Sequence, residues 1–85
     1  MVQIKGAMVK GEFRGFYEVK GKDEKVYFYG QMLQVDNFGK EVMLEFRAKN
    51  DEMFNTMKKG EQVEVKLDIT ERDWQGKKFV VVDVA

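Results

Sequence analysis

From Lys40 to Ala48 the chain reads KEVMLEFRA, and apolar and polar side chains alternate. Val42, Leu44, Phe46 and Ala48 share one face, and Glu41, Met43, Glu45 and Arg47 share the other. A period of two over this length marks a strand with one buried side. The same period governs Glu61 to Thr70, EQVEVKLDIT, with Val63, Val65, Leu67 and Ile69 predicted inward and Glu64, Lys66, Asp68 and Thr70 outward. Three further runs dense in valine, phenylalanine and tyrosine read as strands: Gly6 to Val19, Val26 to Val35 and Lys77 to Val84. In the first of these, Gly11 and Gly15 predict a bend or bulge. KGKDEK (Lys20 to Lys25), DNFG (Asp36 to Gly39) and DWQGK (Asp73 to Lys77) are the connecting turns.

Alternation breaks between Asn50 and Gly60, NDEMFNTMKKG. An Asn or Asp cap, early acids, apolar Met53, Phe54 and Met57, late lysines and a closing glycine predict one short helix of two or three turns. Three strands, a helix and two more strands, without proline or internal repeat, are the pattern of an all-β domain: a five-stranded OB-fold barrel with the helix between strands 3 and 4. A small barrel of the SH3-like kind with a helical connection is the alternative. A single domain over residues 1–85 is expected, near the size at which one core is barely sufficient.

The outward positions carry the candidate chemistry. Continuing the parity of the fourth strand places Thr70, Arg72 and Trp74 on its outer side, so the chain's one tryptophan is displayed beside Arg72, Lys77 and Lys78. A flat apolar surface next to cations suits single-stranded nucleic acid, where each base offers a π-face and each nucleotide a charge. The competing arrangement folds Trp74 back over the barrel end. In VYFYG, Tyr27 and Tyr29 lie on one side of the second strand and Phe28 on the other; either the tyrosines or Phe28 face the core, and the amphipathic phenol suits display better. Arg14, Phe16, Tyr17, Lys20 and Lys22 add a mixed aromatic and basic cluster on the first strand and its turn, Phe38 and Lys40 sit at the second turn, and Arg47 lies on the outer side of the third strand.

Composition narrows the chemistry. The chain has no cysteine, histidine or serine, which removes disulfides, the commonest general base and nucleophile, and the favoured zinc ligands. A non-catalytic protein without cofactor or metal is expected. The N-terminal stretch is broken by Lys5 and Glu12 before it reaches signal-peptide or membrane-span length, so a cytoplasmic protein with no membrane partner is expected. Fifteen basic residues balance fifteen acidic ones. Phosphate binding would therefore rest on local potential, not on net charge.

Two resemblances bear on function. Met57 to Val84 resembles the last third of bacterial single-strand DNA-binding proteins, with Arg72, Trp74 and Gly76 in the places of that family's Arg-x-Trp hairpin. Glu24 to Phe46 resembles the filamentous-phage single-strand DNA-binding proteins, small OB-fold dimers, through Tyr27, Gln31, Val35 and Asp36, with Trp74 as the late hairpin aromatic. The resemblance implies DNA contact by Tyr27 and Trp74. The chain departs from the phage family where Gln34 and Glu41 stand near an expected aromatic and Asp83 near an expected arginine. The expected function is single-stranded DNA binding without sequence preference, coating the strand during replication or transfer of a phage, plasmid or other mobile element. An RNA-binding OB module and a protein-interaction or oligomeric scaffold are the alternatives. A homodimer or higher homo-oligomer is expected because a core this small gains from a partner.

Overall fold

The structure, a computed structural model, describes residues 3–85. Five strands, β1 (Gln3–Lys20), β2 (Val26–Val35), β3 (Glu41–Ala48), β4 (Gln62–Trp74) and β5 (Lys77–Val84), form a closed barrel in the order β1-β2-β3-β5-β4. β1 is long because it serves two partners. Its first part, Gln3 to Glu12, runs antiparallel to β4, and its second, Glu12 to Lys20, runs antiparallel to β2. Register shifts between Ile4 and Ala7 and between Phe13 and Gly15 allow the strand to change direction. Gly6 and Gly15 sit inside these shifts at φ of 68° and 112°, a backbone region that costs other residues strain. β3 and β5 close the barrel in parallel through one pairing, Arg47 with Asp83.

The core is the inward set of these strands: Phe13, Met32, Phe46, Ala48, Val65 and Leu67, joined by Phe54 from the β3–β4 connection. Val63 packs against it, as the alternation predicts, and so do Val82 and Phe28; the inward Phe28 puts Tyr27 and Tyr29 outside. Gly11, expected at a bend, instead pairs regularly with Val63; it is bare because Met32 occupies the place of its side chain. Gly30 does the same for the aromatic core. A Cβ there would stand 2.5 Å from Phe54 and 2.7 Å from Phe46, inside any permitted contact. Phe54 fills that space, with ring centroids 4.9 Å from Phe16, 5.8 Å from Phe46 and 6.0 Å from Phe13.

The expected helix of two or three turns between Asn50 and Gly60 is a single 3₁₀ turn, Phe54–Thr56. Three local facts explain the shortening. Asn50 Oδ1 accepts the Glu52 N–H, Met53 at the N-cap supplies no capping side chain, and the Thr56 hydroxyl donates back to the Met53 carbonyl at 2.8 Å. Beyond the turn the chain is already committed to β1, since the Gly60 N–H donates to the Phe13 carbonyl and the Phe13 N–H to the Glu61 carbonyl, both at 2.8 Å. Burying Phe54 and reaching Phe13 leave no length for further turns. Among the described residues no helix is long and apolar enough to cross a membrane.

The close approach at Gly30 yields a test. Gly30→Ala overpacks Phe46 and Phe54 and should lower unfolding free energy by about 2 to 3 kcal/mol in urea titration followed by circular dichroism. Full retention of stability would show that the two rings are not confined by this glycine.

Candidate nucleic-acid interface

The barrel's outer face carries a continuous row of side chains across β1, β2, β3 and β5. Register pairs Tyr17 with Tyr29, Tyr29 with Arg47, and Arg47 with Asp83. The Tyr17 and Tyr29 rings stack at 5.5 Å between centroids and 18° between planes. Each member of such a pair offers a flat face to a further ring. Arg47 lies 5.0 Å above the Tyr27 ring centroid, and its Nε and Nη2 donate to the two Asp83 oxygens at 2.6 and 3.2 Å. That hydrogen bond to Asp83 raises the Arg47 pKa, against the opposing effect of partial desolvation. The guanidinium is thus charged, oriented and layered on an aromatic, an arrangement a lysine ammonium could not reproduce.

A second row lies beside the first, where Gly15 pairs with Gln31 and Gln31 with Glu45. Gln31 Nε2 donates to Glu45 Oε2 at 3.3 Å. The Tyr17 pKa is raised, chiefly by hydrogen-bonding interaction with the Glu45 carboxylate. Toward the N-terminal ends of the parallel strands β3 and β5, past their one pairing, an open groove of about 460 Å³ is lined by Tyr29, Glu45 and Arg47 on one bank and Phe79 to Val82 on the other. Parallel direction puts the β2–β3 turn and the β4–β5 turn toward the same end of the barrel, at the far end of this groove.

The β4–β5 hairpin turns through Gln75 and Gly76 at φ of 49° and 77°, the paired positive values that match strand twist in a tight hairpin. Trp74 pairs with Lys77, and Arg72 with Phe79, so these four share the outer face. Trp74 is 64% exposed; it does not fold back over the barrel end. Lys78 pairs with Asp73 on the other side of the hairpin. Phe38 is 95% exposed at the tip of the β2–β3 turn, where Asp36 Oδ1 accepts the Phe38 and Lys40 N–H groups at 2.9 and 2.8 Å. At the opposite end, Lys20 and Lys22 flank the β1–β2 turn beyond Tyr27.

The structure therefore brings Tyr17, Tyr27, Tyr29 and Arg47 together at one place, and sets Trp74 and Lys77 along the same outer surface about 20 Å away, six strand residues from the closing pair, with Arg72 between the two places. Phe38 and Lys40 share that far end without touching the tyrosines. Phe16 faces the side opposite Tyr17, where its ring covers Phe54 while staying partly exposed. Arg14 lies at the β1 bulge, tied to Glu12 at 2.9 Å. Among the described residues the ion pairs engage Lys10, Arg14, Lys25 and Arg47, while Lys20, Lys22, Arg72, Lys77 and Lys78 form none. Phe79 escapes the sequence reading although its parity follows from Trp74 through the two-residue turn.

No protein-family model matches the chain, and no curated protein matches it in sequence. Solved structures do. The mitochondrial single-stranded DNA-binding protein Rim1 of S. cerevisiae superposes with a TM-score of 0.70 in one crystal form, at 13% identity over 94% of this chain and 90% of that one. A second form of the same protein gives 0.55 at 18% identity, covering 95% and 89%. The fold is the OB-fold.

The raised Tyr17 pKa gives a prediction with a defined sign. Loss of the phenolic proton would set a phenolate against the Glu45 carboxylate, so the neutral phenol persists above pH 10.0, the value of an unperturbed phenol, and is lost as pH rises through the higher folded value. In ultraviolet titration of the folded protein one tyrosine should ionise above the unperturbed value, and Glu45→Gln should bring it down. An unchanged titration in the variant would show that Glu45 does not hold the Tyr17 proton.

Proposed function

We propose that this chain binds single-stranded DNA with broad sequence tolerance and coats it during replication or transfer of a phage, plasmid or other mobile element. The observation that carries the reading is the exposed outer row, in which the Tyr17–Tyr29 stack and the Arg47–Tyr27 layer lead along a groove to Phe79 and Trp74. Bases stack on such surfaces at about 1 to 3 kcal/mol each whatever their identity. Arg72 and Lys77, with Lys20 and Lys22 at the other end, neutralise phosphates, and Arg47 adds positive potential within the groove. The reading is supported by the fold shared with Rim1, itself a single-stranded DNA-binding protein. It is non-catalytic, uses no cofactor, and places the protein in the cytoplasm. A homodimer or higher oligomer is part of the proposal, supported by the small core and by Met8 and Val80, apolar side chains left 56% and 62% exposed.

Acidic neighbours temper affinity. Asp73, Glu71 and Asp83 stand close to the cations, so binding should be moderate and salt-sensitive, with log K falling by about 0.7 per tenfold salt for each phosphate neutralised on a single strand.

Trp74 is its own reporter. Oligo-thymidine should quench its fluorescence, duplex DNA should do so more weakly, and added salt should reverse the effect. Trp74→Ala should weaken oligo-thymidine binding by about 1 to 3 kcal/mol in fluorescence anisotropy with labelled DNA. Equal affinity for duplex, or binding indifferent to both Trp74→Ala and Tyr29→Ala, would contradict the reading. Loss of self-assembly in Trp74→Ala without any DNA binding by the parent would favour a scaffold.

A further inference from the structure

Glu45 is out of place on a surface that serves only to hold phosphates. It lines the groove between Tyr29 and Phe79, two residues from Arg47 on the same face of β3, and a carboxylate there repels the strand it faces. No ion pair neutralises it among the described residues. Its one side-chain hydrogen-bond partner among them is neutral: the Gln31 amide, at 3.3 Å. An ionised carboxylate has about four acceptor sites, so this single bond leaves most of its accepting capacity free for a ligand. Arg47 is complementary. Of its five N–H donors, Asp83 takes the one on Nε and one on Nη2, leaving both on Nη1 and the second on Nη2.

We infer that Glu45 and Arg47 form a base-reading subsite that favours guanine within an otherwise sequence-tolerant track. The inference rests on the single-stranded DNA binding proposed above. Guanine carries two adjacent donors, N1–H and the 2-amino group, on its Watson–Crick edge, and continuing around the rings come the acceptors O6 and N7, which form its Hoogsteen edge. Arginine pairs with the latter two, and a carboxylate accepts from amino groups of bases. A donor pair beside an acceptor pair matches a carboxylate beside a guanidinium along one strand. Adenine and cytosine each present a single amino group. Thymine presents one N–H between two carbonyls, which face the carboxylate with like charge. The Tyr29 and Phe79 rings on the two banks supply the stacking surfaces that hold any base at this depth.

The test uses a thymidine oligomer of about eight nucleotides, within the site size of one OB domain, and two relatives with one central guanine or one central inosine. Inosine keeps N1–H, O6 and N7 but lacks the 2-amino group. The parent protein should bind the guanine strand about fivefold more tightly than all-thymine, a low value for one bidentate contact at an open site. Inosine should lose most of that advantage. In Glu45→Gln the guanine preference should fall below about twofold, and thymine binding should strengthen as a repelling charge is removed. Equal binding of guanine and thymine strands by the parent, or an undiminished preference in Glu45→Gln, overturns the subsite while leaving strand binding intact. Failure to bind any of the three strands overturns the broader reading as well. The inosine comparison is made on the parent protein, so it decides the point even if Glu45→Gln loses stability.

Discussion

β3 and β5 meet at one pair of residues, and the outer surface is organised around that meeting. Arg47 pairs with Asp83 through the backbone, and their side chains join at 2.6 Å. The ion pair is about one-third exposed on each side, so its own contribution to stability is small, about 1 kcal/mol or less. Its importance is positional. It fixes a guanidinium over Tyr27 at the point where the barrel closes, and beyond that point the two strands leave a groove in place of a continuous sheet.

Closure from beneath comes from Phe54. The 3₁₀ turn delivers this ring to the space left by Gly30, where it meets Phe13, Phe16 and Phe46. Placing Phe16 and Phe28 on the packing side commits Tyr17, Tyr27 and Tyr29 to the outside by strand parity alone. The aromatic platform is therefore a consequence of how the core is filled. The same alternation sets Glu45 and Arg47 side by side outside while Leu44 and Phe46 pack inside.

Much of this was legible in the sequence. The alternation at Val63 to Ile69 and Leu44 to Ala48 names the inner faces of β4 and β3, although Val42 at the start of β3 stays exposed, and counting on from Ile69 correctly sends Trp74 outward. Carrying the count through Gln75 and Gly76 would also have found Phe79. Other features could not be read locally. Gly11 and Gly30 are bare because of Met32, Phe46 and Phe54, residues brought there from distant segments. The helix signal at Asn50 to Gly60 is real but is overridden by the tie from Gly60 and Glu61 to Phe13. The Arg47–Asp83 clamp depends on a parallel register that arises only when the barrel closes, so Asp83 reads in sequence as an unhelpful acid and in the fold as the group that orients Arg47.

The central claim is that single-stranded DNA lies along the outer seam between β3 and β5. Mapping amide chemical-shift changes by nuclear magnetic resonance as oligo-thymidine is added tests it most directly, and a chain of 10.0 kDa suits the method. The account predicts that the largest changes fall on Tyr29, Glu45, Arg47, Phe79 and Trp74, with little movement at Lys10 and Glu64, which pair across β1 and β4. Changes centred on Lys10 and Glu64, or no changes at saturating DNA, would contradict it.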